Sequence, residues 1–124
     1  MKSSLRSLVP MVHVANVPRS IEFYTKLGFE VGNTFTPEGA ASPRWAWLQS
    51  EGGAKLMVAK ASEPVDPKQQ AVLFYIYCDD VAAKRSELVA ANIKASPITS
   101  PFYAPRGEFR IEDPDGYVLM VTHA

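Results

Sequence analysis

Two stretches of this chain repeat one another: SEGGAKLMVAKA at 50–61 and EDPDGYVLMVTH at 112–123. Each reads as a tight turn closing on glycine, followed by a strand carrying Leu-Met-Val. Self-similarity at a fixed distance limits the fold more than any other feature, because it asks for two copies of one unit. An offset of 64 residues carries Asn16-Val17 onto Asp80-Val81, Gly28 onto Asn92 and Phe29 onto Ile93. A helix cap, a helix stop and the start of the next strand therefore coincide. An offset of 63 carries Gly53 onto Gly116 and Leu56-Met57-Val58 onto Leu119-Met120-Val121, so the copies differ by a one-residue change in a loop.

The segments between these anchors have the same order in both halves. SLVPMVHV alternates and is rich in β-branched residues, which predicts a strand. NVPRSIEFYTKLG predicts a helix capped by Asn16, with Pro18 in its first turn, an apolar stripe of Ile21, Tyr24 and Leu27, and Gly28 as its stop. FEVGNTF and RWAWLQS read as strands separated by the loop 37–43, and AKLMVAK as the partner of the second. ASEPVDPKQQ has prolines and charge without periodicity, which is a linker. AVLFYIYC then predicts a strand, DDVAAKRSELVAAN a helix capped by Asp79 or Asp80, IKASPI a short strand weakened by its proline, and GEFRIE and YVLMVTH the closing strands around the turn DPDG. The expectation is an α+β chain of two tandem βαβββ modules, at about 1–62 and about 71–124, joined by a linker at about 62–70, in a single domain of 1–124.

Composition excludes several classes of function. Of the 124 residues, 47% are hydrophobic and 21% charged, and 13 basic side chains cancel 13 acidic ones. That balance offers no field for nucleic acid or an anionic membrane. No apolar run reaches the roughly 20 residues of a membrane span, and the first residues lack a signal peptide's apolar stretch. A cytoplasmic protein is expected. The single cysteine, Cys78, forms neither a disulfide within the chain nor a thiolate cluster, and reads as a small core residue. No Ser/His/Asp or Cys/His arrangement, phosphate loop or basic-aromatic patch is present.

VPRSIEFYTKLGFEV and GEFRIEDPDGYVLMVT resemble signature segments of the vicinal oxygen chelate superfamily, which includes glyoxalase I, extradiol dioxygenases and fosfomycin- and bleomycin-resistance proteins. The resemblance spans nearly the whole chain and is closest in style to the metal-free, bleomycin-resistance-like members. It implies sheets that curl around a cleft, with four cleft-facing positions that hold a divalent metal in the enzymatic members. Those positions fall on Val9, Met57, Leu73 and Met120. None is His, Asp or Glu, so no metal and no other cofactor is expected, and the paired methionines mark an apolar floor where a metal site would stand. The resemblance also implies a homodimer, since in the family modules pair within or between chains to complete the site.

Strand alternation from those positions gives the rest of the face. Met11 and His13 follow Val9, Tyr75 and Tyr77 follow Leu73, and Lys55, Val118 and Thr122 flank the methionines. In GEFRIE, apolar Phe109 and Ile111 take the helix side and turn Glu108 and Arg110 to the ligand side. Trp45 and Trp47 share one face, which alternation alone leaves unassigned; Trp47 is included among the candidates. Tyr103 and Arg106 sit in a loop, where binding residues concentrate. The expected ligand-binding set is therefore His13, Met11, Trp47, Met57, Tyr75, Tyr77, Tyr103, Arg106, Glu108, Arg110 and Met120. His123, next to the chain end, is not expected to take part.

Met, Tyr and Trp with a few polar groups is the composition of a small-molecule pocket. The first reading is a metal-independent protein that sequesters an apolar or aromatic ligand. Charge speaks against a bleomycin-type ligand, which is cationic and would favour an acidic protein. The alternative is a metal-free lyase, isomerase or hydrolase, with His13 or Glu108 as base and Arg110 or Arg106 holding an anionic substrate. A third reading, a metal glyoxalase or dioxygenase, is argued against by the four substituted positions.

Overall fold

The computed structural model describes residues 3–123, which divide into two compact units, the first ending at Val65 and the second beginning at Asp66. The first unit runs β1 (Met11–Val14), α1 (Val17–Leu27), β2 (Glu30–Phe35), β3 (Trp45–Gln49) and β4 (Lys55–Lys60). The second runs from a 3-10 turn at Pro67–Gln69 through β5 (Leu73–Tyr77), α2 (Val81–Ala90), β6 (Glu108–Glu112) and β7 (Val118–Thr122). The sheet of unit one has the order β1-β4-β3-β2 and that of unit two β5-β7-β6. In each, the first strand pairs in parallel with the last and the other pairings are antiparallel. The sheets are thus mixed and open, and the fold is α+β.

The repeat holds atom for atom at the helix ends. Asn16 Oδ1 accepts from the Arg19 N–H at 2.9 Å, and Asp80 Oδ1 from the Ala83 N–H at 2.9 Å, so each helix has a side-chain cap at its start. At the stops, Phe29 N–H donates to the Tyr24 carbonyl and Ile93 N–H to that of Leu88, both at 3.0 Å. The chain leaves each helix through the left-handed region, at Gly28 (φ 121°) and Asn92 (φ 66°). Asn92 is the one non-glycine residue with positive φ among the described residues.

The turns ahead of the two Leu-Met-Val strands are equally alike. Gly53 N–H donates to the Ser50 carbonyl as Gly116 N–H does to that of Asp113. The side chain of the same residue then closes the turn: Ser50 Oγ accepts from Ala54 N–H at 3.0 Å, and Asp113 Oδ1 from Tyr117 N–H at 2.9 Å.

Each core lies on the helix side of its sheet. Val12, Val14, Ala46, Leu48, Leu56 and Val58 are buried in unit one, around Val17, Tyr24 and Leu27 of α1. Tyr24 is fully buried, with edge-to-face ring contacts to Phe23 and Phe29, each worth about 1 kcal/mol beyond area burial. In unit two Phe109, Ile111, Leu119 and Val121 play the same part around Val81 and Leu88.

One predicted element is absent. IKASPI does not form a strand; Ser96 exchanges two hydrogen bonds with Arg110 of β6, its N–H to the Arg110 carbonyl at 3.0 Å and its Oγ from the Arg110 N–H at 2.8 Å, and an isolated bridge joins Thr99 to Glu108 just beyond it. Pro97 has no N–H to donate, and the carbonyls of Ala95 and Ser96 are taken by the Arg85 guanidinium at 3.1 and 2.8 Å. Unit two therefore has three strands where unit one has four.

Candidate functional site

Each sheet packs one face against its helix, and strand register fixes what stands on the opposite, open face, where in unit two Glu108, Val118 and Thr122 are nevertheless buried. In unit one Met11, Met57, Trp47 and Asn33 form one row across the four strands, and His13, Ala59, Trp45 and Phe35 the next. Both tryptophans therefore share the face of Met57, which answers the question that alternation left open. Asn33 and Phe35 were not legible beforehand, because the long 37–43 loop hides the register of β2 against β3.

Trp47 is held in place before any ligand arrives. Its indole N–H donates to Gln49 Oε1 at 2.9 Å, and its ring lies over Gly32, where a Cβ would stand 2.8 Å from the indole Cδ1. Gly32 sits at the β-bulge between Val31 and Asn33, so a residue with no side chain gives the indole its seat.

In unit two the rows are Tyr75, Met120 and Arg110; Tyr77, Thr122 and Glu108; and Leu73, Val118 and Glu112. Tyr75 and Tyr77 are exposed, as Met11 is in unit one. Met57 and Met120 are half-buried in the middle of their faces.

The polar candidates pair differently from a Glu108–Arg110 couple. The Arg110 guanidinium bonds Glu112 at 2.8 Å, while Glu108 is buried and its Oε1 accepts from the Tyr103 hydroxyl at 2.8 Å. That bond pushes the Tyr103 phenol above the ordinary tyrosine range, with desolvation adding to it. Arg106 reaches His123, Nη1 to Nε2 at 3.2 Å, so the loop arginine and the penultimate histidine form one contact. His13 stands exposed on the open face of β1. Burial pushes the Cys78 thiol up, which keeps it a poor nucleophile at neutral pH.

The positions to which the resemblance assigns a metal do not fit one. Val9 and Leu73 are hydrocarbons and Met57 and Met120 thioethers, whereas a hard divalent ion needs oxygen or imidazole donors. Register places Met11 beside Met57 and Tyr75 beside Met120, which adds no hard donor of the required kind. No cluster of three or more His, Cys, Asp or Glu side chains able to hold an ion occurs among the described residues. No described helix is long and apolar enough to cross a membrane.

The Glyoxalase/Bleomycin resistance protein/Dioxygenase superfamily model matches residues 8–121. No curated protein matches the sequence. Among solved structures, a bleomycin resistance determinant encoded on transposon Tn5 superposes with a TM-score of 0.76 at 18% identity, covering 96% of this chain and 98% of its own. The bleomycin-binding protein of Streptomyces verticillus, complexed with copper(II)-bleomycin, gives 0.73 at 17% identity over 99% of both chains. An antibiotic binding protein from Streptomyces sp. CB03234 gives 0.76 at 16%, covering 99% and 98%. At these identities the likeness is one of fold.

Proposed function

Because the chain belongs to the glyoxalase/bleomycin resistance protein/dioxygenase superfamily, we propose that it is a metal-independent small-molecule binding protein that sequesters an apolar or aromatic ligand. One observation carries the reading. The open sheet faces present Met11, Met57, Trp45 and Trp47 in one unit and Tyr75, Tyr77 and Met120 in the other, at and around the positions where a metal enzyme needs imidazole and carboxylate. Thioethers and aromatic rings supply dispersion and stacking without demanding a reaction. The fixed indole of Trp47 favours binding further, since a side chain already ordered loses less entropy when a ligand stacks on it.

The bleomycin-binding and antibiotic-binding structures of similar fold support the same class of function. The exposed Phe35, Leu73 and Tyr77 support a homodimer, in which a symmetric partner covers apolar surface that a monomer leaves wet.

The test is a titration of tryptophan fluorescence with a planar aromatic probe such as 2-naphthol. Met120→Glu is expected to abolish binding, because a carboxylate placed in an apolar site costs several kcal/mol. His13→Ala is expected to weaken binding by about 1 kcal/mol, the net value of one neutral hydrogen bond. A variant of His13 or Glu108 that loses a turnover shown by the wild type, with dissociation constants unchanged, would mark a metal-free enzyme instead.

A further inference from the structure

We propose that the Glu108 carboxylate is a cation-recognition point on the open face of the second sheet, and that the ligand is an aromatic molecule carrying an N–H-donating cation such as an ammonium or amidinium group. The inference rests on the binding reading above and adds the charge of the ligand.

Glu108 is 4% exposed, although Arg110 and Glu112 on the same strand face are solvent-accessible. Its backbone is fixed by a pair of hydrogen bonds to Thr99, N–H to the Thr99 carbonyl at 2.8 Å and carbonyl from the Thr99 N–H at 3.0 Å. Oε1 accepts from Tyr103, but Oε2 is buried with no hydrogen-bond partner. No ion pair to Glu108 occurs among the described residues: Arg110 is drawn to Glu112 and Arg106 contacts His123. Thr122, its neighbour on β7, points its hydroxyl to the Gly107 carbonyl at 3.5 Å.

A buried carboxylate oxygen with neither donor nor counter-ion is rare in native proteins, and an incoming N–H donor of positive charge satisfies both needs at once. Whole-chain neutrality does not oppose this, since a desolvated carboxylate acts at contact range.

The surroundings fit the rest of such a ligand. Tyr77 lies on the same row as Glu108, with β7 between them. Strands lie roughly 4.8 Å apart, so the two backbone positions are separated by roughly 10 Å, a spacing that a bicyclic aromatic with an aminomethyl arm can bridge. Tyr103 is 58% exposed and is held by its bond to Oε1, so admitting the cation to Oε2 requires rotation of a surface side chain rather than opening of the core.

Calorimetric titration of the full chain with 2-naphthylmethylammonium and its neutral isostere 2-naphthylmethanol tests the inference. The cation is expected to bind about tenfold or more tightly. Glu108→Gln should bring the two probes within about twofold of each other. Equal affinities in the wild type overturn the inference and leave the binding reading standing. A preference that survives in Glu108→Gln also overturns it, because another acid then holds the cation. Failure of both probes to bind overturns both readings. Should Glu108→Gln not fold, the side-chain carboxyl carbon resonance of Glu108 in the wild type decides. It is expected to move with the ammonium probe and stay with the alcohol, and a resonance indifferent to both overturns the inference.

Discussion

β3 and β6 hold the same place in their units, 63 residues apart, and each pairs antiparallel with its Leu-Met-Val strand. On the helix side they carry the same chemistry, Ala46 and Leu48 against Phe109 and Ile111, all buried. On the open side they part: β3 presents Trp45, Trp47 and Gln49, while β6 presents Glu108, Arg110 and Glu112. The buried face is constrained by packing against a helix, where a polar side chain would need a partner. The open face is not held to a helix, and its one buried acid in this pair of strands, Glu108, has no counterpart in β3, so function is to be read from the residues in which the repeats differ.

The sharpest way to separate the units is at their shared turn glycine. Gly53 (φ 99°) has open space where a Cβ would stand, whereas a Cβ on Gly116 (φ 85°) would lie 2.6 Å from Pro67. Gly53→Ala should therefore lose only the left-handed preference, about 1 kcal/mol. Gly116→Ala adds a clash with backbone and should lose roughly 3 kcal/mol or more. Chemical denaturation of the two variants checks the difference, and equal losses would show that the linker does not pack on the second turn.

Next in size is the pair Trp47→Ala and Arg110→Ala, at equivalent positions. Removing the indole seated over Gly32 should cost about 2 kcal/mol of stability, less than a fully buried ring would, and should weaken the aromatic probe as well. The exposed Arg110–Glu112 bridge should be worth under about 1 kcal/mol. The helix caps should show no asymmetry at all: Asn16→Ala and Asp80→Ala are each expected to lose about 1 kcal/mol in the same denaturation experiment.

The smallest expected effect is in titration. With its folded value raised by the bond to Glu108, Tyr103 should ionise above about 10, the ordinary tyrosine value, and Glu108→Gln should return it there. The sign follows from the direction of the shift: the contribution to stability is complete below about 10 and is lost as pH rises through the raised folded value. Phenolate absorbance followed against pH in the wild type and in Glu108→Gln measures it.

Much of the backbone was legible in the residues. Asn16-Val17 and Asp80-Val81, Gly28 and Asn92, and the two Leu-Met-Val runs located both helices and both closing strands, because caps, stops and alternation are local signals. What stayed hidden depends on contacts between segments. Pro97 hinted at a weak strand, but the capture of two carbonyls by Arg85 removed it altogether. Alternation put Glu108 and Arg110 on one face as a natural pair, whereas Arg110 turns to Glu112 instead. The Tyr103–Glu108 bond joins a loop to a strand, and no period announces such a contact. The seat of Trp47 on Gly32 depends on a bulge register that only strand pairing reveals.

The central claim is that ligand binding on the open faces needs no metal. Its most direct test is elemental analysis of the untagged protein, combined with titration of 2-naphthol before and after treatment with a chelator. With Val9, Met57, Leu73 and Met120 at the positions to which the resemblance assigns a metal, the expected result is no stoichiometric transition metal and a dissociation constant that the chelator does not move. About one nickel, zinc or iron ion per chain, together with binding that disappears on chelation and returns with the ion, would contradict it.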